Sequence, residues 1–182
     1  CFLFLYIGAE KDSEGHLIKI TSKLFEKFPN MKSLSKADED SLLPFIEEVR
    51  FHGNKIKWLL EIAETIQEDK NIPLTMKELT SLKGIGRKSA NVIMREAEVK
   101  PEGIMADLHV VRVASRLGIS NSDKADKIEK DMMEVLPKSM WAEVGLAISF
   151  LGRETCRPSN PNHKECILSH ACDYCRKEKG GC

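Results

Sequence analysis

Lys88 follows the second glycine of Leu82-Lys83-Gly84-Ile85-Gly86-Arg87-Lys88-Ser89-Ala90 by two residues. A lysine amine on the first turn of a helix can act as a nucleophile on a sugar carbon. A lysine does so as the neutral form, which burial and the positive end of a helix in general favour. The alternative is a solvated helix lysine. Two glycines one residue apart suit a tight turn between two helices, because glycine tolerates positive φ and close approach. Such a turn aims the backbone N–H groups of the second helix outward, where they can hold a DNA phosphate. Gly84, Gly86, Arg87 and Ser89 are the turn residues expected to meet DNA.

A second chemical signal lies near the C-terminus. Four of the six cysteines fall between Cys156 and Cys175. Clustering of this kind, without a secretory signal, favours a metal site over a disulfide framework. Residues 156–182 are polar and rich in Pro and Asn, too poor in large apolar residues to fold without a staple.

The elements that must carry these groups read as helices nearly throughout. Ile56, Leu59, Leu60, Ala63 and Ile66 form one apolar stripe at helical spacing. Ile18, Leu24 and Phe25 fit a helix over 14–28 after polar Lys11-Asp12-Ser13. Further helices are expected over 41–49, 76–82, 87–98, 123–136 and 140–152, and over 108–117 with Gly118 as C-cap. No run alternates long enough to make a strand. The 182 residues are 42% hydrophobic and 31% charged, ample for one large domain or two small lobes. The formal net charge is +0, so DNA affinity would come from a local patch and backbone N–H groups, and strong non-specific binding is not expected. Apolar Cys1 to Gly8 is too short to span a bilayer and lacks the marks of a signal peptide. The chain starts inside an apolar run without Met, as a trimmed N-terminus would. The expected location is the cytoplasm, at the nucleoid, of a bacterium or archaeon, with nucleus and organelle left open.

Three signals in order resemble the endonuclease III family, the iron–sulfur DNA glycosylase/AP lyases of the helix-hairpin-helix superfamily. The first is the hairpin, Leu82-x-Gly84-x-Gly86-Arg87-Lys88-Ser89-Ala90-Asn91-Val92. The second is Ala106-Asp107-Leu108-His109-Val110-x-Arg112-Val113-x-x-Arg116-Leu117-Gly118, similar to the segment holding that family's catalytic aspartate. The third, Leu151-Gly152-Arg153-x-Thr155-Cys156, resembles the lead into its cluster loop. The resemblance covers nearly the whole chain. It implies an all-α fold of two helical lobes, 1–101 with the helix-hairpin-helix at about 76–98, and 102–182 with a cluster loop at 156–175. DNA would lie in the cleft between the lobes, with Lys88 and Asp107 at its mouth.

By that resemblance Lys88 is the nucleophile that forms a Schiff base, and Asp107 accepts a proton and stabilises positive charge at the sugar. Asp107 also suits the N-cap of the following helix, and the two roles are compatible. Phe51 aligns with the residue that wedges into the DNA stack; the alternative is a core Phe at a helix boundary. His52 and Asn54 flank it and are expected on the DNA backbone. His109 is expected to be structural. The family spacing Cys-x6-Cys-x2-Cys-x5-Cys becomes Cys156-x6-His163-x2-Cys166-x5-Cys172 here. Two ligand sets for a 4Fe-4S cluster are open: Cys156, His163, Cys166 and Cys172, slightly preferred, or the all-thiolate set with Cys175 in place of His163. A structural zinc is the alternative metal. Cys1 and Cys182 are expected to be free thiols.

Several departures bear on substrate. Gly8-Ala9-Glu10 replaces the segment that fills the gap left by a flipped base, and Glu10 suits that task poorly. Arg50 replaces a glycine. The cluster loop offers only Arg157 and Lys164 as cations, and the family's first helix has no counterpart. The expected activity is a base-excision-repair DNA glycosylase with AP lyase activity on oxidised pyrimidines. It would act as a monomer on duplex DNA with a damaged base or abasic site, away from membranes. The alternative is a non-catalytic or monofunctional helix-hairpin-helix DNA-binding protein with a structural cluster.

Overall fold

The computed structural model describes residues 14–177, with side chains from residue 20 onward. The expectations for Cys1, Cys182 and Gly8-Ala9-Glu10 lie outside the described residues. Among the described residues all regular structure is helical, as expected. Among the described residues no helix is long and apolar enough to cross a membrane. The chain divides into two compact units, Cys1–Gly86 and Arg87–Cys182, and the division falls inside the glycine hairpin.

The first unit holds α1 (Glu14–Lys27), α2 (Met31–Leu34), α3 (Glu39–Ile46), α4 (His52–Ile66) and α5 (Met76–Ser81). Leu24, Met31, Leu34, Leu42, Ile46, Ile56, Leu59, Ala63 and Leu79 are buried. Burial of such side chains is worth about 1.5–3 kcal/mol each, and it holds helices too short to persist alone. Polar side chains set two of the helix starts. Asn30 and Ser33 form a reciprocal capping box on α2, a helix too short to show a period in sequence. Asp38 and Ser41 do the same for α3, with Ser41 N–H donating to Asp38 Oδ1 at 2.9 Å. That helix therefore starts at Glu39, ahead of the expected Ser41, and ends at Ile46 rather than Val49.

The second unit holds α6 (Arg87–Glu96), α7 (Leu108–Leu117), α8 (Ala125–Val135), α9 (Trp141–Glu154) and α10 (Asp173–Lys177). Its core gathers Ile104, Val110, Val113, Ala114, Ile128, Met132 and Ile148. α6 ends two residues short of the expected Glu98, which itself sits at φ 55 in the left-handed region. The N–H of Val99 then closes back on the carbonyl of Met94 at 3.0 Å. α7 has the expected bounds. Gly118 ends it at φ 82, and an added Cβ there would lie 2.3 Å from Asp173 Oδ2 of α10. The cysteine-rich tail makes two 3-10 turns, His163–Glu165 and Ser169–Ala171, before α10.

Candidate active site and cysteine loop

Trp58 of α4 sets the shape of the hairpin turn. Gly84 has φ 80, and an added Cβ would lie 2.6 Å from Trp58 Cε3. Its neighbour Lys83 pairs with Glu61 at 2.8 Å. Gly86 is different: a Cβ there would meet no atom within 4 Å, and its φ is not positive. Packing does not require the second glycine, and the space beside it is open. Lys88 and Ser89 follow on the first turn of α6, both half-buried.

Arg87 does not present its guanidinium to solvent as a free cation. Its Nε donates to Glu129 Oε2 at 2.7 Å and its Nη2 to Glu129 Oε1 at 2.8 Å. The Glu129 side chain is 3% exposed and that of Arg87 42%. Hydrogen bonding to Glu129 holds the guanidinium pKa above its ordinary value. Asn91, one turn on, donates Nδ2 to Glu129 Oε1 at 3.0 Å. The Glu129 carboxylate thus grips α6 at two points bracketing Lys88. Asn91 Oδ1 is buried without a hydrogen-bond partner. Gly103 makes room for this arrangement, since a Cβ there would fall 2.0 Å from Glu129 Oε1.

Asp107 is the N-cap of α7, as its alternative role required. Oδ1 accepts from the N–H groups of His109 at 2.9 Å and Val110 at 2.8 Å. Oδ2 accepts from the Ser149 hydroxyl at 2.6 Å. Arg153 Nη2 stands 4.0 Å from the same oxygen. A carboxylate held by cap donors on one oxygen and by a hydroxyl on the other has a fixed plane. Next to it, Leu108 and Phe150 are exposed.

Phe51 is not a core residue. It is 64% exposed. Its backbone lies at φ 60, ψ 31 at the start of α4, where it makes no side-chain cap. A bulky residue in that region costs about 1–2 kcal/mol. The Arg50 guanidinium lies over its ring, 4.6 Å from the centroid. His52 and Asn54 are exposed on the same turn.

Arg112 and Arg116, one turn apart on α7, anchor the start of the cysteine loop. Arg112 Nε donates to the Cys156 carbonyl at 3.2 Å, and its Nη2 to the Gly152 carbonyl at 2.7 Å. Burial, then the charge of Arg116, lowers its pKa. Its Nη2 also lies 3.2 Å from His109 Nδ1, which must accept, since arginine has only donors. His109 is therefore structural, as expected. Arg116 Nη1 donates to the Arg157 carbonyl at 2.7 Å and to Cys156 Sγ at 3.2 Å, and Nη2 to the Pro158 carbonyl at 2.9 Å. The Cys172 thiol donates to the Arg116 carbonyl at 3.4 Å. Tyr174 lies under the Arg116 guanidinium, 4.5 Å from it, and stacks on His163 with centroids 5.9 Å apart.

Cys156, Cys166 and Cys172 are free thiols. Cys175 is disulfide-bonded, so in this structure it offers no thiolate for the all-cysteine ligand set. Among the described residues no three His, Cys, Asp or Glu groups converge tightly enough to hold a metal ion. Two thiols and an imidazole are nonetheless arranged around Arg116 and Tyr174. Their donor chemistry suits a soft iron–sulfur group.

Four of the residues that shape these sites carry no signal when read singly: Glu129, Ser149, Arg112 and Arg116. With His109 the two arginines, at 112 and 116, fall on one face of a helix, which is the spacing that reveals them.

The chain matches the model of the HhH-GPD superfamily of base excision DNA repair proteins over residues 16–138. It is 33% identical to an endonuclease III of Synechocystis sp. over 85% of this chain and 71% of that protein. Identity to an endonuclease III of Thermotoga maritima is 30%, over 95% of this chain and 82% of that protein. The structure of a trapped endonuclease III–DNA covalent intermediate is similar with a TM-score of 0.85 at 28% identity, over 95% of this chain and 82% of that one. Together with the hairpin and the capped aspartate, these likenesses place the chain in the HhH-GPD superfamily, within its endonuclease III-like family of base excision repair glycosylases.

Proposed function

We propose that the chain is a bifunctional DNA glycosylase and AP lyase that removes oxidised pyrimidines from duplex DNA. The observation that carries this is the pair of groups in the second unit. Lys88 is half-buried on the first turn of α6, whose face Glu129 fixes, and Asp107 has its carboxylate plane locked. The similar endonuclease III trapped in covalent linkage to DNA supports a covalent route here.

The hairpin binds a backbone phosphate through N–H groups at the start of α6, which the bare Gly86 leaves accessible. Arg87 contributes there mainly through its backbone, since Glu129 occupies its fork. Exposed Phe51 enters the stack as the damaged nucleotide leaves it, with His52 and Asn54 on the adjoining backbone. The neutral Lys88 amine attacks C1′. The C1′–N bond breaks, and the base departs with the electron pair and gains a proton. Oδ1 of Asp107 is occupied by two N–H groups, so Oδ2 takes the amine proton and faces the positive charge at the sugar. Ring opening gives the Schiff base. Loss of a C2′ proton then expels the 3′ phosphate by β-elimination.

A 4Fe-4S cluster would be held by Cys156, His163, Cys166 and Cys172, and when bound it staples the loop in place of a hydrophobic core.

Borohydride trapping with duplexes carrying thymine glycol or an abasic site tests the proposal. Wild type should give a covalent adduct on both, and Lys88→Ala on neither, while Lys88→Ala still binds abasic DNA. Adduct on the abasic duplex alone would refute the base specificity. No adduct from wild type, with binding intact, would make the chain a monofunctional enzyme or a non-catalytic DNA-binding protein.

A further inference from the structure

We infer that Ser149 is a positioning residue for Asp107. This rests on the chemistry proposed above. Ser149 lies mid-helix in α9 and is 1% exposed. A buried serine in a helix interior usually bonds back to its own helix or costs stability. Here its hydroxyl leaves the helix and donates to Asp107 Oδ2 at 2.6 Å, within the charge-assisted range.

The approach is built into α9 by two glycines on the same face, four residues before the serine and three after it. A Cβ at Gly145 would lie 2.3 Å from the backbone oxygen of Met105. A Cβ at Gly152 would lie 2.9 Å from His109 Cβ. The α9 backbone therefore rests against the chain two residues before Asp107 and two residues after it. Ser149 sits between these contacts, opposite Asp107. Neither glycine can gain a side chain without moving the serine away.

The consequence for chemistry is geometric. The cap N–H groups hold Oδ1 only, and a carboxylate held at one oxygen can turn about its Cβ–Cγ bond. The Ser149 hydroxyl removes that freedom and leaves the remaining lone pair of Oδ2 in a fixed direction. Misplacement of a reacting group by a fraction of an ångström to one ångström is enough to slow a reaction by an order of magnitude or more.

The test is single-turnover excision and strand cleavage on a thymine-glycol duplex. Ser149→Ala should slow the chemical step about tenfold, with affinity for a non-cleavable abasic-site duplex unchanged within about twofold. Ser149→Thr and Ser149→Val have the same shape, so both meet the same crowding. Thr should react about tenfold faster than Val. Asp107→Asn keeps a good N-cap and should nearly abolish turnover, and adding Ser149→Ala to it should cost nothing more. Equal rates for Thr and Val, or a full-rate Ser149→Ala, would overturn the positioning role while a slow Asp107→Asn left the catalytic reading standing. An equally large loss from Ser149→Ala on the Asp107→Asn background would overturn the positioning role too. Wild-type turnover by Asp107→Asn would instead overturn the catalytic reading itself.

Discussion

Removing the Glu129 carboxylate should be among the costliest single changes in the second unit. Glu129 accepts three hydrogen bonds, two from Arg87 and one from Asn91, on a side chain that is 3% exposed. Deleting one partner of a buried ion pair costs about 3–5 kcal/mol, because the other charge is left uncompensated. The Arg87 side chain is 42% exposed, so its guanidinium can turn toward water, which brings the ionic part to the lower end. Asn91 cannot escape. Its Oδ1 already lacks a partner, and loss of the bond from Nδ2 leaves a whole carboxamide buried and unsatisfied, at about 1–3 kcal/mol. A net loss of about 4 kcal/mol is expected for Glu129→Ala. At about 2–4 °C per kcal/mol for a chain of this size, Tm falls by about 10 °C. Thermal melts followed by far-UV circular dichroism check this, with urea midpoints to confirm an unchanged m value. The drop should be nearly the same at low and high NaCl, because a buried pair is little screened. A fall under about 3 °C, or one that vanishes in high salt, would refute the reasoning.

Three further outcomes follow from the same geometry. Hydrogen bonds from Lys127, then Ser120, hold the Asp131 pKa below its ordinary value of 3.8. A carboxylate with a depressed folded pKa adds stability that is complete above the unfolded value and drains as pH falls through the folded one. Asp131→Asn should therefore flatten the stability loss below about pH 4, read from urea midpoints between pH 6 and 2; an unchanged slope would contradict it. Gly145→Ala forces a Cβ onto the Met105 carbonyl oxygen at 2.3 Å, a backbone atom with nowhere to go. It should cost about 1–3 kcal/mol and slow excision as well, and a variant with wild-type Tm and rate would count against the close contact. Phe51→Gly should raise Tm by about 2–4 °C, since glycine relieves the left-handed backbone and little burial is lost. The same variant should weaken the fluorescence rise of 2-aminopurine placed beside an abasic site, and a lower Tm would show the ring to be a packing element.

How much of the fold and site is legible in sequence depends on how local each cause is. α7 reads off correctly at both ends because its signals, Asp107 and Gly118, are its own neighbours. The start of α3 reads two residues late because Ser41 looks like a start; it is the third helical residue, answering Asp38 from inside. The hairpin is visible as Gly-x-Gly, yet its two glycines have different reasons. One accommodates the Trp58 indole, a contact of long range in sequence, and the other faces open space. Arg87 looks like a DNA cation, and Glu129, forty-two positions away, takes its fork. Ser149 gives no signal alone. The spacing Gly145-x3-Ser149-x2-Gly152 on one helical face is its trace, and it gains meaning only with Asp107 known to lie opposite.

The hold of Arg116 on successive carbonyls at Cys156, Arg157 and Pro158 bears on how the loop tolerates changes of side chain. These bonds use backbone acceptors, so they survive any change of side chain at those positions. They hold the backbone at Cys156 in place without any metal. In the proposed cluster, assembly would begin from a docked edge, and the ordering entropy left for the metal to offset would belong to residues beyond Pro158. Position 163 lies in that later stretch, where its imidazole stacks on Tyr174. In the proposed ligand set, an imidazole there would stand in for a thiolate without unseating the entrance of the loop.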